Sequence, residues 1–382
     1  MAEKVCPKCG EKVLGASEAC PFCGSDLQGQ KESKRGFTKK QKRAIQIICA
    51  AIGIVVAACV AFVIILMNHP FEFAENEDGT YTVIHCNKYV KKASIPETYK
   101  DQPVTKIDKG AFVGCEKLVS VEIPNSITAI EDYAFEGCVS LADIMIPNSV
   151  TKIGYRVFEG CVSLTSVTIP NSVTKIGFRA FGGCTGLTSL VFEGNSHLNF
   201  IDVYAFEDCP LEFAVLPTAS ILAIPKKQLR EVTITSGSSL DQWAFASCKN
   251  LETVTIGDTV ATIGDGAFED CKKLKTVIIG NSVRKIDDNA FSGCTSLTSV
   301  IFGDKNQLTS IGEWAFYCCE SLASIKIPRS VTSIGCYAFA DCTSLAEIKY
   351  NGSEMQWYWN VDKGERWDYY AGEYTVTFAI VE

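Results

Sequence analysis

The sequence predicts a mainly β solenoid of 23-residue coils, each with two short strands and a helical or 3-10 turn. A small four-cysteine module and one membrane-spanning helix precede it. Three observations predict this order. A Phe-x-x-Cys pair returns ten times at a nearly constant interval, an alternating apolar strand pattern stands between successive pairs, and a basic stretch runs into a single uncharged apolar segment.

The repeat governs most of the chain. Its cysteines are Cys115, Cys138, Cys161, Cys184, Cys209, Cys248, Cys271, Cys294, Cys319 and Cys342, each with Phe three positions earlier. Leu follows three positions after each of them except Cys209. The interval is 23 residues, lengthening to 25 before Cys209 and Cys319 and to 39 before Cys248. In the template Leu164 to Cys184, Leu-x-x-Val-x-Ile alternates as a half-buried strand. Pro-Asn-Ser turns the chain, Val-Thr-x-Ile-Gly supplies a second strand, and Ala-Phe-x-Gly-Cys closes the coil with Phe and Cys pointing inward. One coil cannot bury its own apolar residues, so ten or eleven coils are expected to stack.

The 39-residue interval contains Leu211 to Leu216, which reads as a strand, followed by PTASILAIPKKQ without an Ala-Phe turn. A shortened coil with a bulge and a bend in the stack is expected there; a non-solenoid insertion is the alternative. The repeats occupy 104–349. Residues 71–103, with Tyr81 to Ile84 as a strand, form an N-cap, and 350–382 form an aromatic C-cap that hides the last apolar face.

These coils resemble the BspA-like leucine-rich repeats, whose recurring pattern is IPxSVTxIGxxAFxxCxxLxxV. Ile146 to Gly154 and Ile169 to Gly177 match it, and the resemblance covers roughly residues 80–360. It implies a bacterial surface protein that adheres to host or matrix partners, although a fold does not define a ligand.

Residues 1–30 hold two knuckles, Cys6-Pro7-Lys8-Cys9-Gly10 and Cys20-Pro21-Phe22-Cys23-Gly24. Two thiolates three positions apart on a tight turn reach one tetrahedral cation, and two such pairs close a four-thiolate site with no open position. The module resembles bacterial zinc ribbons, with Zn2+ as a structural ion supplying the folding free energy that so small a core cannot. A redox CxxC pair is the competing reading.

The overall charge of −8 hides an asymmetry. Residues 1–43 carry +5, residues 44–67 carry none, and the remainder carries −13. So acidic a domain is a poor partner for nucleic acid. After the basic linker 31–43, Ala44 to Met67 forms a helix of about 36 Å, long enough to span a membrane. No Lys or Arg occurs at 68–82, so the positive-inside rule places the N-terminus in the cytoplasm and the solenoid outside. A cleaved signal peptide or a lipoprotein processed at Cys59 fits less well, because apolar residues continue to Met67.

A binding face is expected where the middle residue of each first strand projects outward. These residues are Glu122, Met145, Thr168, Val191, Thr233, Thr255, Ile278, Ile301, Lys326 and Lys349. Val191, Ile278 and Ile301 are apolar where solvent is expected and form the candidate ligand face. Trp357 and Trp359 in the C-cap join them as candidates for stacking on a sugar, although capping the last coil is the favoured role for aromatics of such area. His69, His85 and His197 fall in no triad, phosphate-loop or HExxH pattern, so no catalytic residue is assigned. The repeat cysteines read as buried, inert thiols. The expected function is binding of an extracellular protein or glycan. The alternative is a transmembrane scaffold or sensor that couples exodomain occupancy to a cytoplasmic partner of the ribbon.

Overall fold

A computed structural model describes residues 3–14, 18–27, 70–194 and 197–379. The chain divides into two compact units, Met1–Ile65 and Leu66–Glu382. The expected linker at 31–43 and membrane helix at 44–67 lie outside the described residues. Among the described residues, no helix is long and apolar enough to cross a membrane.

In the first unit, Glu3–Val5 and Lys12–Leu14 pair antiparallel. Cys6, Val13, Cys20 and Leu27 form its small core.

The second unit is a stacked series of parallel rows, a β-solenoid of about twelve turns rather than ten or eleven. First strands pair from coil to coil in segments of three, seven and three strands, ending with Thr375–Phe378. Second strands, two residues each in most coils, form a parallel row of their own. In the template coil these are Ser166–Ile169 and Lys175–Ile176. Their alternation is realised as Val167 and Ile169 inward and Ser166 and Thr168 outward.

The closing segment departs from expectation. It forms successive hydrogen-bonded turns rather than a helix, with Ala180 donating to Gly177 and Cys184 to Phe181. The cause lies in the backbone: in most coils the second residue before the Phe holds positive φ, as at Tyr133 (61°), Arg156 (52°) and Trp314 (51°), and a left-handed residue cannot propagate a right-handed helix. The turns bond to the next coil instead, with the Phe158 amide donating to the Ala180 carbonyl at 2.7 Å and Phe268 to Ala290 at 2.8 Å.

Inside, the phenylalanines stack. Phe112, Phe135, Phe158, Phe181 and Phe206 follow one another at centroid distances of 4.5, 5.3, 5.0 and 5.0 Å. Phe245, Phe268, Phe291, Phe316 and Phe339 do the same at 5.2 to 5.5 Å. The thiols lie beside them, and most donate to the carbonyl of the previous coil's Phe, as Cys161 does to Phe135 at 3.3 Å, Cys294 to Phe268 at 3.2 Å and Cys342 to Phe316 at 3.2 Å.

The long interval is a shortened coil, as expected, but its first strand carries no bulge. Phe213–Leu216 pairs in unbroken register with Glu231–Ile234. A 3-10 helix, Thr218–Ala223, replaces the second strand. Its buried Ile221, together with Ile224 and Leu229, fills the space that an Ala-Phe turn would occupy. The Phe stack and the second-strand row both break here.

At the front, Phe71–Glu75 and Tyr81–Cys86 form an antiparallel hairpin that pairs with Gln102–Ile107. Phe73 stacks on Tyr99 at 4.3 Å and Phe71 abuts Phe112, covering the first ring. At the rear, Trp367 meets Phe339 edge-on at 6.1 Å.

Truncating one ring in the middle of a stack leaves a cavity between two coils. Phe268→Ala is expected to cost about 3–5 kcal/mol in urea unfolding, whereas a conservative change at exposed Lys273 or Lys275 leaves the midpoint in place. Burial pushes the Cys161, Cys294 and Cys342 thiols up to about 12. A raised folded-state value means that this contribution is complete below the unfolded thiol's pKa of about 8.5 and disappears as pH climbs towards 12. The urea midpoint should therefore fall between pH 7 and pH 10, and thiol alkylation at pH 8 should follow unfolding.

Candidate functional sites

The two CxxC knuckles fold the same way. The Gly10 amide donates to the Cys6 carbonyl at 2.9 Å, and the Gly24 amide to the Cys20 carbonyl at 2.8 Å. Each glycine sits at positive φ, 77° and 71°, which lets the chain reverse directly after the second cysteine. The reversal aims both pairs at one point. All four sulfurs lie within 4.8 Å of one another, with Cys6 to Cys23 at 3.5 Å and Cys9 to Cys20 at 3.6 Å. A tetrahedral ion with metal–sulfur bonds of about 2.3 Å separates its sulfurs by roughly 3.8 Å, so the donor set and spacing fit such an ion. A disulfide, at about 2.05 Å, does not fit. The Ser25 hydroxyl, 3.1 Å from both Cys6 and Cys23, adds a donor to the thiolates. It is the main reason the Cys6 thiol is held down to about 6, followed by the amides of Cys9 and Lys8.

On the solenoid, strand register turns the scattered outward residues into a continuous row. Thr168, Val191, Val215, Thr233, Thr255, Ile278 and Ile301 stand side by side on paired strands. Lys326 and Lys349 are likewise neighbours, with Thr377 beyond them. Ile278 is 37% exposed and Ile301 48% exposed. Val191 is half-buried, so its apolar surface is smaller than its position suggests. Met145, at 79%, is the most exposed apolar residue of the row. Val215 went unread because its coil lacks the repeat's landmarks, and only pairing with Val191 and Thr233 places it.

The two C-cap tryptophans separate. Both lie on the six-residue helix Glu354–Trp359, which opens with a capping box between Ser353 and Gln356. Trp357 is 2% exposed and packs on Tyr350 at 5.1 Å and Trp367 at 6.0 Å, with Lys363 Nζ 4.8 Å above its ring. It offers no surface to a ligand, so its placement on the ligand face is corrected: its area covers the end of the stack. Trp359, two positions on, turns to the opposite side of the helix and is 83% exposed.

His85 and His197 are exposed, and His69 lies outside the described residues. An aromatic row that sequence reading did not assemble runs along the turn edge, through Trp314, Tyr337 and Tyr369 at centroid spacings of 6.2 and 6.3 Å. The signal was present, because the first two residues precede Ala-Phe in consecutive coils.

No curated protein matches the chain. Among solved structures it is similar to a leucine-rich repeat protein from Bacteroides ovatus, with 25% identity over 82% of this chain and 99% of that one, at a TM-score of 0.33. A leucine rich cell surface protein from Faecalibacterium prausnitzii shares 26% identity over 76% of this chain and 96% of its own, at a TM-score of 0.33. A leucine-rich repeat protein from Bacteroides capillosus shares 30% identity over 33% of this chain and 95% of its own, at a TM-score of 0.31. The family described as BspA type leucine rich repeat region matches residues 105–228 and 225–346, in six copies. The chain belongs to the BspA type leucine-rich repeat family.

Proposed function

We propose that this is a membrane-anchored surface-binding protein whose solenoid presents its outward β-face to a protein or glycan ligand. Residues 44–67 hold the chain in the membrane with the N-terminus in the cytoplasm, and Cys6, Cys9, Cys20 and Cys23 bind one structural zinc ion there. Surface association is general among BspA-like repeat proteins, which supports the placement. The observation that carries the binding reading is the side-by-side exposure of Ile278 and Ile301 on paired strands. Apolar side chains held open to water on a rigid surface are a standing unfavourable term that a ligand relieves. A rigid scaffold also loses little conformational entropy on binding, which favours many modest contacts over one deep pocket.

Three measurements test this. Replacing Ile278 and Ile301 together by Asp should weaken attachment of cells displaying the protein to their target surface by about tenfold or more, as for loss of a central anchor; unchanged attachment would move the site elsewhere. Protease added to intact cells should remove the solenoid while sparing an N-terminal tag, and the reverse pattern would overturn the topology. Purified protein should carry one zinc per chain by elemental analysis, with a Cys9→Ser and Cys20→Ser double variant losing it. An intact zinc content in that variant would rule out the four-cysteine site.

A further inference from the structure

The interval of 25 residues before Cys319 has a structural consequence. In regular coils seven positions separate the end of the first strand from the end of the second, as from Ile279 to Ile286; here nine separate Phe302 from Ile311. The two extra residues enlarge the turn Gly303-Asp304-Lys305-Asn306-Gln307. Asn306 pins it to the previous coil through a 2.8 Å bond to the Gly280 carbonyl, and the Asn281 side chain accepts from the Lys305 amide at 3.0 Å. Beside the enlarged turn opens a groove of about 720 Å³.

Its charge is opposite to that of the domain around it. Arg284, Lys305, Lys326 and Arg329 line it against one carboxylate, Asp304, although residues 68–382 carry −13 overall. All four cations are exposed. Among the described residues, Lys305, Lys326 and Arg329 have no carboxylate within ion-pair distance, and Arg284 bonds only a neutral amide, Gln307, at 3.0 Å. Some other cations of the solenoid sit against acids, as Lys275 and Arg230 do on Glu252 and Arg179 does on Glu159, and others lie over rings, as Lys109 does on Tyr133 and Lys175 on Phe200. Ser149 and Ser172 donate to the carbonyls of Ile127 and Val150 on the previous coil, whereas Ser330, on the groove, has no partner for its hydroxyl. Ser126 shares that condition.

We infer that this groove is a binding site for an anionic glycan, one bearing sulfate or carboxylate groups. The inference rests on the surface-binding reading above and names the chemistry of the ligand. Charged donors dominate the lining, two guanidiniums and two ammoniums, which suits a ligand made of acceptors. The cations are distributed over three successive coils, so a chain with charge on every sugar or two meets them in series. Half-buried Phe302 gives the floor an apolar patch for a sugar face. An acidic peptide is the competing occupant, since the first strands beside the groove, Ser299–Phe302 and Ser324–Ile327, belong to separate sheets, and the comparison of heparin with poly-glutamate decides between the two.

The test uses the full-length protein and a fluorescent heparin oligosaccharide, with neutral dextran and poly-glutamate as comparison probes. Heparin should bind with an affinity that falls steeply with salt, dextran should not bind, and poly-glutamate should bind more weakly than heparin. Lys326→Glu with Arg329→Glu should reduce heparin affinity by about tenfold or more, as expected for reversing two charges in one site. Lys249→Glu with Lys272→Glu, on the opposite edge, should leave it within about twofold, since distant exposed charges are screened. Equal loss in both pairs, poly-glutamate binding at least as tight as heparin, or no heparin binding would overturn the assignment. Cell attachment that survives Lys326→Glu/Arg329→Glu but not Ile278→Asp/Ile301→Asp would sink this groove alone and leave the surface-binding reading standing. Unchanged thermal unfolding of both charge variants shows that the fold is not the cause.

Discussion

Registered stacking of near-identical coils is the constraint on which everything else in the solenoid rests. Each coil leaves one face of its apolar residues bare, and only a neighbour with the same residues at the same height can cover it. Three rows of contacts enforce that height together: paired first strands, paired second strands, and the bonds that link closing turns, such as Phe158 to Ala180. The ring stacks, near 5 Å from centroid to centroid, match this pitch, so packing and hydrogen bonding favour one spacing. The cysteines belong to the same device. A thiol is small enough to lie beside a ring, apolar enough to be buried, and still donates to a carbonyl of the previous coil alongside the amide which that carbonyl already accepts.

The irregular coil shows that the first-strand row can carry the stack where the other rows stop. Between Phe206 and Phe245 the ring stack stops and the second-strand row is interrupted, yet the first strands pass through in register from Phe213–Leu216 to Glu231–Ile234. A 3-10 helix contributes Ile221 to the core in place of a ring. The outward face therefore stays continuous from Thr168 to Ile301, and that face is the one proposed to meet a ligand. Departures from the 23-residue interval are absorbed in turns, because a residue inserted within a strand would turn its inward side chains to solvent.

Much of the architecture was legible because buried positions are selected by residue type. Phe, Cys and Leu at three-residue offsets must all point inward, so their recurrence reveals both the coil length and the core. The conformation of the closing turn was not legible. Ala-Phe-x-Gly-Cys has a composition that suits a helical turn, and only the bonds available from the next coil favour left-handed backbone at Tyr133, Arg156 and Trp314. In the C-cap, Trp357 and Trp359 are indistinguishable by composition. Their positions on a six-residue helix against Tyr350 and Trp367 send one inward and the other to solvent.

The amino-acid sequence by itself determined the number and length of the regular coils, the inward set of each, and the pairing of two CxxC knuckles, since all of these follow from local spacing. Tertiary structure alone decided which outward residues become neighbours, how far Val191, Ile278 and Ile301 stand clear of the surface, and that a two-residue extension opens a cationic groove between Arg284 and Arg329. The reason is physical: burial is encoded by a residue's own chemistry, whereas a shared surface is made by residues more than twenty positions apart that only stacking brings side by side.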